Sequence, residues 1–220
     1  MSRQFIYIFL CLYCLLGLTN FRVNGLGNKE IQQVEQGKDS TYIVVLGTIQ
    51  DGGSPHPGCK KKCCESLFKQ GTSDRMVVSL GLIDKPNQKT FLIECTPNFT
   101  QQAKRLKSHL RSNEREVPDG ILLTHAHIGH YCGLMYLGKE ALNANAAPVY
   151  AMPKMKTFLE GNGPWSQLVT KNNIALMPLQ GDQITALSSN LSVKPILVPH
   201  RDEFSETAGF IVEGSHKKAW

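Results

Sequence analysis

Residues 121–130 read Ile-Leu-Leu-Thr-His-Ala-His-Ile-Gly-His, and the fold prediction starts from this stretch. Its first three residues are apolar without alternation, which predicts a strand that is covered on both faces. His125, His127 and His130 follow at the carboxyl end of that strand, where layered sheets gather their ligands. Neutral imidazole is the commonest protein ligand for zinc, and a catalytic zinc takes three protein ligands and leaves a position for water. The stretch therefore predicts a metal site, and the alternative is a histidine-containing turn that binds nothing.

A third ligand to the same metal ion must come from elsewhere, because alternation along an extended chain turns only His125 and His127 to one side. His200 is the candidate, since it follows a second predicted strand and so lies at the same kind of sheet edge. The alternative is a histidine in a surface loop. Asp202 and Glu203 lie beside it, and carboxylates commonly orient metal-bound histidines. We name Asp202 as the catalytic candidate; an orienting role or a solvated side chain is the alternative for either acid.

The rest of the chain alternates predicted strands with predicted helices. Met76–Ile83 and Thr90–Glu94 flank a turn and predict a hairpin. Further strands are predicted at Tyr42–Leu46, Val149–Ala151, Leu191–Val198 and Thr207–Glu213, and helices at Phe99–Leu110, Leu134–Leu142 and Lys154–Glu160. This order predicts a mixed α/β protein in which sheet and helices form layers.

The composition is that of one globular domain with a basic surface. The chain has 220 residues, with 24 Lys and Arg against 18 Asp and Glu, which gives a formal net charge of +6. The basic residues are not interleaved with aromatic ones, as they are in a nucleic-acid platform. We therefore expect no nucleic-acid partner and a small-molecule substrate, and the positive charge favours an anionic one.

The N-terminal residues predict export. Arg3 precedes the uncharged apolar run Phe5–Leu18, and small or polar residues follow as far as Gly25. This is the pattern of a secretory signal peptide over residues 1–25, and the domain that remains, residues 26–220, would then be secreted or periplasmic. The alternative is an N-terminal membrane anchor, although the run is shorter than the ~20 residues of a spanning helix. After cleavage we expect no stable membrane insertion.

Three stretches of the chain resemble the metallo-β-lactamase-fold hydrolases. They are Val-Leu-Gly-Thr-Ile-Gln-Asp-Gly-Gly at 45–53, Thr-His-Ala-His-Ile-Gly-His at 124–130 and Val-Pro-His-Arg-Asp-Glu-Phe at 198–204. Within that family they are similar to the branch that contains the B-type pyrroloquinoline quinone biosynthesis proteins, and the resemblance covers roughly residues 41–213. It implies a four-layer αβ/βα sandwich with a metal site along one edge of the paired sheets. It also implies that the glycine-containing turn at 47–53 borders the metal crevice.

The same resemblance implies which residues bind metal. His125, His127 and His200 match the ligands of a first metal ion, and His130 matches a ligand of a second. Gly129 stands where the family has an aspartate that binds the second metal. The family also continues to a bridging aspartate and a last histidine, so we expect this chain to be the front part of a longer protein, with the sandwich incomplete at its C-terminus. The expectation is one zinc ion, with two as the alternative.

A second group of candidate ligands follows the glycine-containing turn. His56, Cys59, Cys63 and Cys64 have the types and number of ligands that a structural zinc requires, and the lysines at 60–62 favour thiolate forms. In an exported protein a disulfide is an alternative, because oxidising compartments tolerate few free thiols. Unpaired thiols are the third alternative.

These observations predict an exported zinc-dependent hydrolase that uses a metal-bound hydroxide on an ester, phosphodiester or amide bond. His130 would then position the substrate or transfer a proton. Because Gly129 departs from the family pattern, an alternative is a non-hydrolytic, metal-dependent protein of pyrroloquinoline quinone biosynthesis. A further alternative is a metal-binding protein without turnover.

Overall fold

The computed structural model describes residues 40–71, 74–110, 115–215 and 218–219. The predicted signal peptide, residues 1–25, lies outside this part of the chain. No helix in the described part is both long enough and apolar enough to cross a membrane. The described residues form two β-sheets, with helices packed against one of them.

The larger sheet contains β1 (Thr41–Gly47), β2 (Ser79–Asp84), β3 (Lys89–Ile93), β4 (Gly120–Leu122), β5 (Ala147–Ala151) and β6 (Ile174–Pro178), in that spatial order. The first three strands pair antiparallel, and β3 to β6 pair parallel. The smaller, antiparallel sheet contains β7 (Thr185–Ala186), β8 (Leu191–Leu197), β9 (Ala208–Gly214) and β10 (Lys218–Ala219), adjacent in sequence order. The predicted hairpin is therefore present as β2 and β3.

The helices are α1 (Lys62–Gln70), α2 (Phe99–Lys107), α3 (Ile128–Tyr131), α4 (Pro153–Gly161) and α5 (Trp165–Thr170), with a 3₁₀ helix at Cys132–Leu137. The predicted helix at Leu134–Leu142 is wrong, because the chain there forms the 3₁₀ helix and then turns. Gly133 explains part of this difference. A Cβ atom at Gly133 would lie 2.2 Å from the carbonyl oxygen of Thr96, so the segment is pressed against the backbone that follows β3.

The layers follow from which face of the larger sheet each apolar side chain occupies. On one face Leu92 and Ile121 pack against the helices, in a core that includes Leu106 and Leu159. On the other face Leu122 packs in a core shared with the smaller sheet, whose contributors include Leu191, Val193 and Val212. The mixed α/β layered class is confirmed, and the described residues supply a helix layer and two sheet layers.

β4 lies at the centre of this arrangement. Ile121, Leu122 and Leu123 are fully buried, as the lack of alternation predicted. Burial of such side chains contributes about 1.5–3 kcal/mol each relative to exposure. The strand that precedes the histidines is therefore fixed on both faces, and the backbone that leaves it has a defined starting position.

Candidate metal centre

Four histidine side chains converge at the carboxyl edge of β4, and we refer to them as the histidine centre. They are His125, His127, His130 and His200. The first two follow β4, the third lies in α3, and the last follows β8. Neighbouring imidazole rings have centroids between 4.3 and 4.9 Å apart. The structure therefore brings together every histidine that the sequence assigned to the metal site.

Hydrogen bonds hold the two chain segments side by side. The amide of Ala208, the first residue of β9, donates to the carbonyl oxygen of Thr124 at 3.0 Å. The amide of Ala126 donates to Ser205 Oγ at 2.9 Å, and that hydroxyl is buried. These bonds join the segment after β4 to the segment between β8 and β9 that carries His200.

Three ring nitrogens face a common point. His125 Nε2 lies 3.0 Å from His127 Nδ1, and His200 Nε2 lies 3.2 Å from the same His127 nitrogen. Together with His125 and His127, His200 forms a set whose ligand atoms all lie within 4.8 Å of one another. Nitrogens about 2.0–2.1 Å from a tetrahedral zinc stand about 3.3 Å apart. The observed separations therefore match a tripod for one zinc ion.

The outer hydrogen-bond partners of His125 and His127 favour a cation at that point. The Thr124 hydroxyl donates to Glu94 Oε1 and so accepts, at 2.7 Å, from His125 Nδ1. His127 Nε2 lies 3.0 Å from Glu203 Oε2 and donates to it. Because the outer hydrogen bond of each ring favours a proton on the outer nitrogen, these partners favour the tautomers in which His125 Nε2 and His127 Nδ1 are unprotonated, as metal coordination requires.

Burial keeps His125 in the form that binds metal. Its removal from water lowers the pKa of the imidazole, and the neighbouring rings of His130, His127 and His200 lower it further, to about 4. The imidazole is therefore neutral at physiological pH. A metal ligand must be deprotonated, so this environment favours coordination.

Glu94 is a buried acid behind the histidine centre that sequence reasoning did not assign to the site. It follows β3 directly, and its amide donates to the carbonyl oxygen of Leu122 in β4 at 2.9 Å. One carboxylate oxygen accepts from Thr124, and the other lies 3.3 Å from His130 Nδ1. Burial raises the pKa of Glu94, while His130 and Thr124 act in the opposite direction. A single buried carboxylate thus supports His125 through Thr124 and lies within ion-pair distance of His130. The available signal was an acid at the end of a buried strand, Thr90–Glu94.

One side of the His130 ring lies beside the buried Glu94 carboxylate, and the ring remains partly exposed. Burial lowers the pKa of this imidazole, but the nearby carboxylates of Glu94 and Asp51 raise it more, and the pKa ends above its usual value. Because Nδ1 is buried 3.3 Å from Glu94 Oε2, Nε2 is the nitrogen left for a metal or a substrate. Its two assigned roles, metal ligand and proton carrier, both require that nitrogen.

The two acids after His200 have different positions. Asp202, the sequence's catalytic candidate, accepts a hydrogen bond from the Thr207 hydroxyl at 2.8 Å and is exposed. Glu203 is the acid that contacts the histidine centre, through His127, and that hydrogen bond lowers the pKa of its carboxyl. The hydrogen bond between Asp202 and Thr207 therefore stabilises their own loop. Of the two acids, Glu203 is the one in position to orient a histidine of the centre.

The cysteine cluster, defined as Cys59, Cys63 and Cys64, lies at the start of α1. Its three sulfurs lie within 4.8 Å of one another, and Cys63 Sγ is 4.0 Å from Cys64 Sγ. Sulfurs about 2.3 Å from a tetrahedral zinc stand about 3.8 Å apart, so this spacing suits a metal. A hydrogen bond from Cys64 lowers the pKa of the Cys59 thiol, and the backbone N–H and charge of Lys61 lower it further. All three are free thiols.

His56 does not join this cluster. Its Nδ1 lies 2.9 Å from the carbonyl oxygen of Pro57, and its Nε2 lies 2.8 Å from where a Cβ atom of Gly52 would be. The ring therefore covers the glycine-containing turn. The predicted set of four ligands is reduced to three sulfurs, because the turn that brings Cys59 toward Cys64 directs His56 to the other side.

Comparison with known proteins agrees with this geometry. A profile described as the beta-lactamase superfamily domain matches residues 89–220. Coenzyme PQQ synthesis protein B of Methylorubrum extorquens (strain PA1) is 23% identical over 158 residues, which cover 67% of this chain and 52% of that protein. The chain thus spans about half the length of this curated relative.

Two solved structures show the same fold. The Zn(2+)-bound PqqB from Methylobacterium extorquens has a TM-score of 0.63 and 22% identity, and the match covers 81% of this chain and 61% of that one. A diphosphatase of the PhnP family has a TM-score of 0.56 and 22% identity, with 79% and 62% covered. From the matched profile, these folds and the histidine tripod, we conclude that the chain belongs to the beta-lactamase superfamily, has the metallo-β-lactamase fold and is similar to PqqB-type proteins.

Proposed function

We propose that this protein is a zinc-dependent hydrolase that cleaves an ester, phosphodiester or amide bond in a small molecule. The observation that carries the proposal is the convergence of three imidazole nitrogens: His125 Nε2 lies 3.0 Å and His200 Nε2 lies 3.2 Å from His127 Nδ1. A zinc ion there supplies a Lewis acid and lowers the pKa of a water that it binds to roughly 7.

The side chains around the tripod are arranged for hydrolytic chemistry. Glu94 and Thr124 hold His125 in the Nδ1–H tautomer, and Glu203 holds His127 in the Nε2–H tautomer. His130 presents Nε2 to the crevice, and the Glu94 carboxylate behind it favours a protonated ring. A ring of this kind donates a proton to a leaving group and orients a substrate oxygen.

A cavity beside the histidine centre is large enough for a small molecule. It has a volume of about 540 Å³ and is lined by Glu203, Phe204 and Lys154. Glu203 also contacts His127, so the cavity adjoins the histidine centre. Cavities of this size hold a small molecule.

A second candidate function is a non-hydrolytic reaction at the same metal centre. The observation in its favour is the similarity to coenzyme PQQ synthesis protein B across 67% of this chain. Under this alternative the tripod holds a redox-active metal and the reaction consumes oxygen. A metal-binding protein without turnover is the third candidate, and the same assays separate all three.

The test is an activity panel on the full chain loaded with zinc or with iron. Phosphodiester, lactone and β-lactam substrates are assayed with and without oxygen, and His127→Ala and His109→Ala are assayed beside the unmodified protein. We expect hydrolysis with zinc that is independent of oxygen, lost in His127→Ala and kept in His109→Ala. Turnover that requires both iron and oxygen would contradict the hydrolase proposal, and no turnover with either metal would favour binding alone.

We also propose that the protein is exported, on the strength of the uncharged run Phe5–Leu18 after Arg3. Expression of the full sequence followed by N-terminal sequencing of the extracytoplasmic fraction tests this proposal. The expected N-terminus lies near residue 26. A chain that keeps its first residues and fractionates with membranes would support the anchor instead.

A further inference from the structure

An exposed phenylalanine stands next to the histidine centre. Phe204 follows Glu203, whose carboxylate lies 3.0 Å from His127 Nε2, and the Phe204 side chain is 64% exposed. Single exposed apolar residues are common on soluble proteins, but Phe204 lines the same cavity of about 540 Å³ as Glu203. An aromatic side chain that is exposed inside a cavity beside a candidate metal centre indicates a contact surface for a ligand.

Phe204 is the outermost member of a series of aromatic contacts that begins in the core. Trp165 and Tyr131 are buried, and their ring centroids lie 4.9 Å apart. Tyr131 contacts Phe158 edge to face at 5.5 Å, and the Phe158 ring lies 5.6 Å from that of Phe204 at a tilt of 40°. Aromatic pairs at these separations attract each other beyond the effect of buried area. The Phe158 ring, which also lines the cavity, is therefore supported from the core side.

Hydrogen bonds join the two walls of this cavity. Phe158 belongs to α4, and Phe204 belongs to the segment between β8 and β9. The amides of Lys154 and Met155, in the first turn of α4, donate to the two carboxylate oxygens of Glu206 at 3.2 and 3.1 Å. Because Glu206 lies two residues after Phe204, these bonds connect the segment of Phe204 to α4. A binding surface that is organised before its ligand arrives loses less entropy on binding.

We propose that Phe158 and Phe204 form a specificity subsite that binds an aromatic ring of the substrate beside the histidine centre. A third ring that packs on them, offset or edge to face, gains an attraction that a saturated group of the same size lacks. This inference rests on the proposed hydrolase and goes further, because it assigns two residues to substrate choice. The substrate class it names is an arylalkyl ester, amide or phosphodiester, whose ring occupies the cavity while its scissile bond lies at the metal.

The test compares two carboxylic acids that differ only in the saturation of their ring. Phenylacetate and cyclohexylacetate have the same charge and the same number of carbon atoms, and both are titrated by calorimetry into the zinc-loaded full chain. The titrations are repeated after a chelator has removed the metal. Phe204→Leu keeps an apolar side chain without the ring, and Phe204→Tyr keeps the ring. Ile184→Ala is the control, because Ile184 is 65% exposed and precedes β7, outside the lining of this cavity.

We expect the unmodified protein to bind phenylacetate about 2- to 10-fold more tightly than cyclohexylacetate, the value of one aromatic pair. Phe204→Leu should lose this preference, with and without zinc, whereas Phe204→Tyr and Ile184→Ala should keep it. Thermal melting checks folding, and the exposure of Phe204 predicts an unchanged melting temperature. With methyl phenylacetate as substrate, Phe204→Leu should raise KM and leave kcat within about twofold, because a ring away from the scissile bond stabilises ground state and transition state alike.

Equal or weaker binding of phenylacetate, or a preference that Phe204→Leu keeps, would overturn this inference. The absence of saturable binding by either acid would overturn it as well. The zinc hydrolase proposal would survive these results, because it is tested by the zinc content and turnover of His127→Ala. Absence of turnover with every substrate would instead remove the hydrolase, while calorimetry would still measure ring binding. The two failures are therefore distinguishable.

Discussion

The histidine centre and the cysteine cluster are both candidate metal sites, and they are built in different ways. The histidines come from two segments far apart in the sequence. Hydrogen bonds of Ala208 and Ser205 join these segments, and two of the rings have an outer hydrogen-bond partner. The cysteines come from one short stretch, residues 59–64, and their sulfur contacts are mostly with each other.

This difference predicts different relations between metal and fold. A site braced by a buried strand and a buried carboxylate is organised before the metal arrives, so metal binding contributes mainly to function. A site made by one turn and the start of α1 lacks such buried support, so metal binding there contributes to local stability. The predictions below test this contrast, from the largest expected effect to the smallest.

The largest effect is expected for His127→Ala, because His127 Nδ1 faces two other ligand nitrogens. The variant should lose the tripod zinc and its turnover. The loss of zinc affinity should exceed the factor of about 10 to 100 that removal of an outer hydrogen-bond partner costs. Atomic absorption and the hydrolysis assay measure both. His109→Ala is the matched control, since His109 bonds Tyr42 outside the centre. Retention of stoichiometric tripod zinc by His127→Ala would reject its assignment as a ligand.

Glu94→Gln should have the next largest effect. The substitution keeps the size of the side chain but removes the charge that orients His125 and His130, so zinc affinity should fall about 10- to 100-fold. A chelator competition titration measures it.

Thr124→Val should behave similarly, and Thr124→Ser, which keeps the hydroxyl, should bind zinc normally. Unchanged affinity in both Glu94→Gln and Thr124→Val would show that the centre does not depend on its buried support.

Cys63→Ser separates the two sites. It should remove zinc from the cysteine cluster and lower the melting temperature, by about 2–4 °C for each kcal/mol of stability lost, while turnover at the histidine centre stays within twofold. Ser66→Ala, at an exposed position of the same helix, is the control. Loss of turnover without loss of stability would reverse the contrast between the two sites. A thiol titration in denaturant with chelator that finds fewer thiols than cysteines would favour the disulfide.

Glu203→Gln should have the smallest effect. Its side chain is 46% exposed, so water screens its interaction with His127 and can replace it. Zinc affinity should fall less than about tenfold, and the effect should shrink in high salt. The pKa of Glu203 is lowered in the folded protein. Its stabilising interaction with His127 is therefore fully present above the usual carboxyl pKa and is lost as the pH falls through the lowered pKa of Glu203. Glu160→Gln, an exposed acid paired with Lys156, is the control.

The sequence predicts the histidine centre well because its signal is local. Ile121–Leu123 has no alternation, the histidines follow at once, and the structure buries the strand and gathers the rings. Glu94 was not predicted as a partner of the histidines. Its role depends on the register of β3 beside β4, a long-range contact that the position of an acid at the end of a strand does not specify.

Two other sequence predictions differ from the structure because of close packing and turn geometry. The helix predicted at Leu134–Leu142 satisfied the apolar spacing, but close packing of Gly133 against the backbone of Thr96 produced a 3₁₀ helix instead. His56 matched a ligand pattern by spacing, yet the turn before Cys59 directs its ring away from the sulfurs. Spacing alone does not give the direction of a side chain on a turn.

The central claim is that nitrogens from two distant segments bind one zinc ion, and anomalous diffraction at the zinc absorption edge tests it most directly. Crystals of the full chain grown with zinc should show an anomalous peak about 2.0–2.1 Å from His125 Nε2, His127 Nδ1 and His200 Nε2. A peak at the cysteine cluster alone, with none among these three nitrogens, would contradict the account.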